Sequence, residues 1–155
     1  MKMSRVLAEK INRNHPPLYS ICQCATIMDT AQYFERENIG AAMVEKETPE
    51  PGFYAGIITA KDIIKCIAET GNLNNVRVAQ IMTQEMITAD INDGVSDTVR
   101  RMREHSVRHI PLKEHGRIIA LISIRDLMYC IDMEMEKTLS NINDMFGAHR
   151  SDTSF

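Results

Sequence analysis
Ala120-Leu121-Ile122-Ser123-Ile124-Arg125-Asp126 decides the fold, because the chain contains it twice. Its echo is Gly56-Ile57-Ile58-Thr59-Ala60-Lys61-Asp62, at an offset of 120 − 56 = 64 residues. Each copy is a short apolar run, a hydroxyl residue, a spacer, a base and an aspartate. Downstream, Cys66-Ile67 returns as Cys130-Ile131 at the same offset. Upstream the offset is 68: Ile27-Met28-Asp29-Thr30-Ala31 faces Val95-Ser96-Asp97-Thr98-Val99, and Phe34, Ile39 and Val44 face Met102, Val107 and Leu112. The four-residue difference falls on Thr48-Pro49-Glu50-Pro51-Gly52, a surface loop by composition. An internal repeat governs every later reading. The chain is two copies of one unit.

A unit of about 60 residues buries only roughly 60% of its unfolded surface, so two such units are expected to share a core. Hydrophobic periodicity outlines each unit as β-α-β-β-α. In the first, a strand over 18–21 leads to a helix starting at Thr26, strands over 39–44 and 53–59, and a helix over 62–70 ended by Gly71. The second has a strand over 86–89, a helix carrying Val95, Val99 and Met102, and strands over 107–112 and 117–123 joined at His115-Gly116. A long helix then starts at Asp126. A leading helix over 4–12 ends at His15-Pro16-Pro17. The expected architecture is α+β, two tandem repeats packed as a pseudo-two-fold pair. Residues 1–76 hold the first repeat with the leading helix, 77–146 the second with its C-terminal helix, and 147–155 a polar, frayed tail.

The net charge of −3 argues against nucleic acid or an anionic membrane as partner. No apolar run approaches the roughly 18 residues of a spanning helix. The N-terminus, Met1-Lys2-Met3-Ser4-Arg5, lacks a signal peptide's apolar core. The four cysteines (Cys22, Cys24, Cys66, Cys130) read as free thiols in a reducing cytoplasm. Eleven methionines and no tryptophan suit an adaptable contact surface. The tail stripe Ile131, Met135, Leu139, Ile142 and Phe146 predicts a homodimer through helices.

The simplest reading of Thr59-x-x-Asp62 and Ser123-x-x-Asp126 is a pair of helix capping boxes. The same geometry suits a ribonucleotide. A strand end feeding a helix presents free N–H groups to phosphate, Lys61 or Arg125 adds charge, and an ionised Asp accepts from both hydroxyls of a ribose. Both readings hold together. Ser123, His109 and Asp126 include the residue types of a hydrolase triad. The first copy keeps the hydroxyl and the Asp without the His, which fits binding rather than catalysis. Cys22-x-Cys24 lacks a second pair for metal, and His105 and His109 straddle a helix end and a strand, so no metal site is expected.

The strand followed by a small residue, two apolar residues, Ser or Thr, two spacers and Asp resembles the CBS domain. Val107-Arg108-His109-Ile110-Pro111-Leu112 ahead of Ala120–Asp126 is similar to that family's best-known stretch. Two copies look like a Bateman module, over about residues 18–132, of the kind found in short stand-alone bacterial CBS-pair proteins. The resemblance implies two clefts between the units and no catalytic role. It implies a regulatory or energy-sensing module that takes an adenine nucleotide (AMP, ADP, ATP or NAD) or S-adenosylmethionine as ligand, and a regulated protein partner. By the resemblance the ribose falls to Asp62 and Asp126 with Thr59 and Ser123. The phosphates fall to Arg108 and His109, and the adenine lies near Tyr19 and Ile87. In the first unit Gly40-Ala41 stands where the second has Arg108-His109, so the Asp126 cleft is expected to take a phosphorylated ligand first. The alternative is an empty pair that dimerises and controls a partner through contacts alone.

Overall fold
Thr30 and Thr98, matched in the repeat, make the same bond: each buried hydroxyl donates 2.9 Å back to a carbonyl four residues earlier, Thr26 or Gly94. Each sits in the first turn of an equivalent helix, α2 (Ile27–Glu37) or α5 (Val95–Glu104). The computed structural model describes residues 1–150, with side chains through Gly147. The frayed tail expected over 147–155 is instead helical as far as Arg150, and its residues 151–155 lie outside the described residues.

The two units have one topology. In the first, β1 (Ser20–Cys22) runs parallel to β2 (Ala41–Glu45), and β2 is antiparallel to β3 (Gly56–Thr59). In the second, β4 (Ala89–Asp90) runs parallel to β5 (His109–Glu114), and β5 is antiparallel to β6 (Arg117–Ser123). The closing helices are α3 (Ala60–Thr70) and α6 (Ile124–Arg150). The β5–β6 turn is the expected His115-Gly116, with φ of 49° and 76°, the positive pair a tight hairpin requires. Gly71 caps α3 at φ 62°.

Three clusters of buried residues hold the pair together. One belongs to each unit. The third joins Ala41, Met43 and Ile57 of the first sheet to Ile118 and Leu121 of the second, which is the shared core two small units need. Gly40 lies on the same seam: a Cβ there would stand 3.4 Å from Cε1 of His109.

Each unit lends its leading segment to the other. The leading helix α1 (Met3–Asn12) buries Met3 and Val6 among Val95, Met102, Ile110 and Leu127 of the second unit. A short helix absent from the sequence reading, α4 (Val78–Ile81), buries Val78 in the first unit. The hydrogen bonds are equivalent. Met3 N–H reaches Asp93 O and Ser4 N–H reaches Ile91 O, while Val78 N–H reaches Ala25 O and Ala79 N–H reaches Gln23 O. Both segments then cross a sheet, as Leu121 N–H bonds Pro17 O and Ile57 N–H bonds Thr83 O, each at 2.9 Å. Chain order groups α1 with the first repeat; packing groups it with the second.

The thiol expectation is corrected at one pair. Cys22 and Cys24 are joined by a disulfide at the end of β1, where only one residue separates them. Cys66 and Cys130 are free and buried at equivalent places on α3 and α6.

Candidate functional site: the two strand–helix junctions
The repeated motif forms the same junction twice. The amide and hydroxyl of Thr59 both donate to Asp62 Oδ2, at 2.9 and 3.1 Å, and those of Ser123 donate to Asp126 Oδ2 at 2.9 and 3.0 Å. In return each Asp amide donates to the hydroxyl oxygen, at 3.4 and 3.2 Å. These are capping boxes, and they also fix the carboxylates. Oδ2 of each carboxylate is thus held by its own helix start. Register completes each junction: Ala41 pairs Thr59 and His109 pairs Ser123.

The junctions differ in what lies over them. At Asp62 the carboxylate is half-buried and Lys61 is exposed. Asp126 is buried, and two cations of α1 and the residue after it reach it: Lys10 Nζ lies 2.9 Å from Oδ2 and Arg13 Nη2 lies 3.3 Å from Oδ1. Lys10 also donates to Leu121 O at 3.1 Å, and the Arg13 guanidinium stands 3.9 Å from the Tyr129 ring centroid. The side chains of Lys10 and Asp126 are 12% and 6% exposed. Neither cation was singled out in the sequence. They lie more than a hundred residues from Asp126, outside the repeat, and only the exchange of leading segments brings them there.

Burial pushes the Asp126 carboxyl pKa up, but the Ser123 amide and Lys10 outweigh it and hold the group below the ordinary carboxylate range. His109 is held below the usual imidazole value, first by burial and then by the positive charge of Lys10, Arg108 and Arg125, against the pull of Asp126. Lys10, Arg108 and Arg125 are thus the cations whose charge bears on His109. Tyr19 packs beside the first unit's cluster, at the start of β1. Ile87 packs beside the second unit's cluster and also lines a groove on α5, with Asp97 and Arg101. His105, on the same groove, bonds the Arg101 carbonyl and stands apart from His109. The Ser123 hydroxyl serves Asp126, so the three triad residue types are not arranged as nucleophile and base.

The family model of the CBS domain matches residues 78–132. A solved CBS-domain structure, 26% identical, superposes with a TM-score of 0.74 over 84% of this chain and 97% of its own. The chain is a CBS-domain protein. Its fold is that of CBS pairs, α+β with two three-stranded sheets. Among other relatives, a homoserine O-acetyltransferase of Methanococcus vannielii is 30% identical over 128 residues, 81% of this chain. This CBS pair spans only 25% of that enzyme's length. A CBS domain protein of Pyrobaculum aerophilum, solved in complex with AMP, is 24% identical with a TM-score of 0.72, covering 88% of this chain and 99% of that one.

Proposed function
We propose that this CBS pair is a non-catalytic regulatory module that binds an adenosine-containing ligand, such as AMP, ATP or NAD, in the clefts at Asp62 and Asp126. The observation that carries the reading is the junction geometry: in both units the hydroxyl residue holds one carboxylate oxygen at a helix start, which fixes the aspartate that would accept from a ribose diol. Thr59 and Ser123 set the carboxylates, and Lys61, Arg125, Arg108 and His109 supply charge for phosphates. Tyr19 and Ile87 are the proposed apolar contacts of the adenine. The AMP complex of the Pyrobaculum protein supports the ligand class. The proposed module is cytoplasmic and acts on a protein partner; among the described residues no helix is long and apolar enough to cross a membrane.

Titration calorimetry and thermal shift with AMP, ATP, NAD and S-adenosylmethionine test the reading. A ligand at 100 times its dissociation constant stabilises by about 2.7 kcal/mol. Absence of binding by the whole panel overturns it. In that event the chain works by contact alone, a reading favoured by α6. Met128, Met135, Leu139, Ile142 and Phe146 are 41–68% exposed on that helix, and Met145 is 71% exposed. Large exposed apolar stripes mark association surfaces. This stripe pairs with a second copy of the chain in the proposed module.

A further inference from the structure
We propose that the leading helix α1 is a built-in competitor for the Asp126 cleft, displaced by a ligand whose anionic group takes over Lys10 and Arg13 as its ribose takes the aspartate. The inference rests on the reading of the two junctions as adenosine sites. It adds a rule of selection at one of them: phosphorylated ligands enter and neutral nucleosides do not.

The two leading segments are unequal in length. From the first helical residue to the sheet crossing, the chain runs 17 − 3 = 14 residues in the first leading segment, Met3 to Pro17. It runs 83 − 78 = 5 residues in the second, Val78 to Thr83. The two begin with equivalent hydrogen bonds and end with equivalent crossings. The nine extra residues therefore lie between fixed points and must arch over something. They carry Lys10 and Arg13, and what those side chains meet is Asp126.

Both oxygens of Asp126 are thereby engaged. Oδ2 holds Lys10 as well as the Ser123 amide and hydroxyl, and Oδ1 holds Arg13. A ribose diol at Asp126 competes with Arg13 at Oδ1 and with Lys10 at Oδ2. Lys10 is nearly buried, so a neutral ligand that drew it off the carboxylate would leave it nearly buried without its ion-pair partner. A phosphate restores the balance, with an oxyanion where the carboxylate was. Asp62 faces no such exchange, because its leading segment is too short to carry an equivalent pair.

The test uses the full chain with Asp62→Asn, which removes the open cleft, and compares AMP with adenosine by calorimetry. In that background AMP should bind at least about tenfold more tightly than adenosine. Adding Lys10→Gln and Arg13→Gln should strengthen adenosine and weaken AMP, so that the ratio falls at least about tenfold. Arg13→Gln alone, at a partly exposed site where folding is not at risk, should lower the ratio in the same direction. An unchanged ratio, or equal gains by both ligands, overturns the exchange. Binding of neither ligand to the natural chain or any variant is the distinct result that removes the adenosine reading itself.

Discussion
Asp126 is the residue on which stability and the proposed binding meet. It is a buried carboxylate with two cations and a helix start as partners, and breaking such a pair from one side leaves a buried charge uncompensated. Asp126→Asn should therefore cost about 3 kcal/mol of folding free energy, read as a shift of the urea midpoint, while Asp62→Asn costs less. A loss at Asp126 no larger than at Asp62 would contradict the ion-pair account. Because its folded pKa is depressed, the contribution of Asp126 is present above the unfolded pKa and lost as pH falls below about 4. His109 also has a depressed pKa, so the unfolded chain binds its proton first. Stability should fall as pH drops from about 6.5, and His109→Gln should flatten the melting temperature over the interval just below that value. Gly56 shows a different constraint. A Cβ there would stand 2.5 Å from Thr83 O, at the crossing of the second leading segment, whereas the matched position already holds Ala120. Gly56→Ala should cost about 1–3 kcal/mol, and an unchanged denaturation midpoint would show that the crossing yields freely.

Among the elements, α3 and α6 start alike and end differently. Both begin in a capping box, so Thr59→Ala should cost about 0.5–2 kcal/mol. Helix α3 stops at Gly71 after eleven residues, and α6 runs for 27. Beyond Ile131 the exposed residues Met135, Leu139, Ile142 and Phe146 recur at intervals of four, three and four, the spacing of a helix–helix seam. Leu139→Glu should convert the chain to a single 17.6 kDa species in light scattering at micromolar concentration. A natural chain already at that mass would remove the proposed dimer.

At the scale of the whole molecule, the reciprocal loan of α1 and α4 ties the halves together, so neither half is a complete folding unit. Met3 and Val6 are fully buried in the second unit's core, and Val78 in the first's. Met3→Ala should cost about 2–5 kcal/mol, yet the repeat leaves Met3 out altogether. Calorimetric unfolding of the natural chain should be a single cooperative transition; two separated transitions would mean that the loaned helices are peripheral.

The repeat made the architecture legible. Two copies of an apolar run followed by hydroxyl, base and aspartate dictate two equivalent strand–helix junctions, because a short apolar strand and a capping box are local rules that need no knowledge of the rest of the chain. Strand boundaries were less legible: β1 and β4 are displaced towards the C-terminus of their expected spans, since such short strands are set by pairing with β2 and β5. The disulfide at Cys22 and Cys24 depends on the local path of the chain after β1, which spacing alone does not describe. Lys10 and Arg13 lay beyond any local rule. An ion pair spanning 126 − 10 = 116 residues exists only because α1 packs on the second unit. Sequence by itself determined what each junction is; the tertiary exchange of leading helices decided that one junction stands open and the other is already occupied.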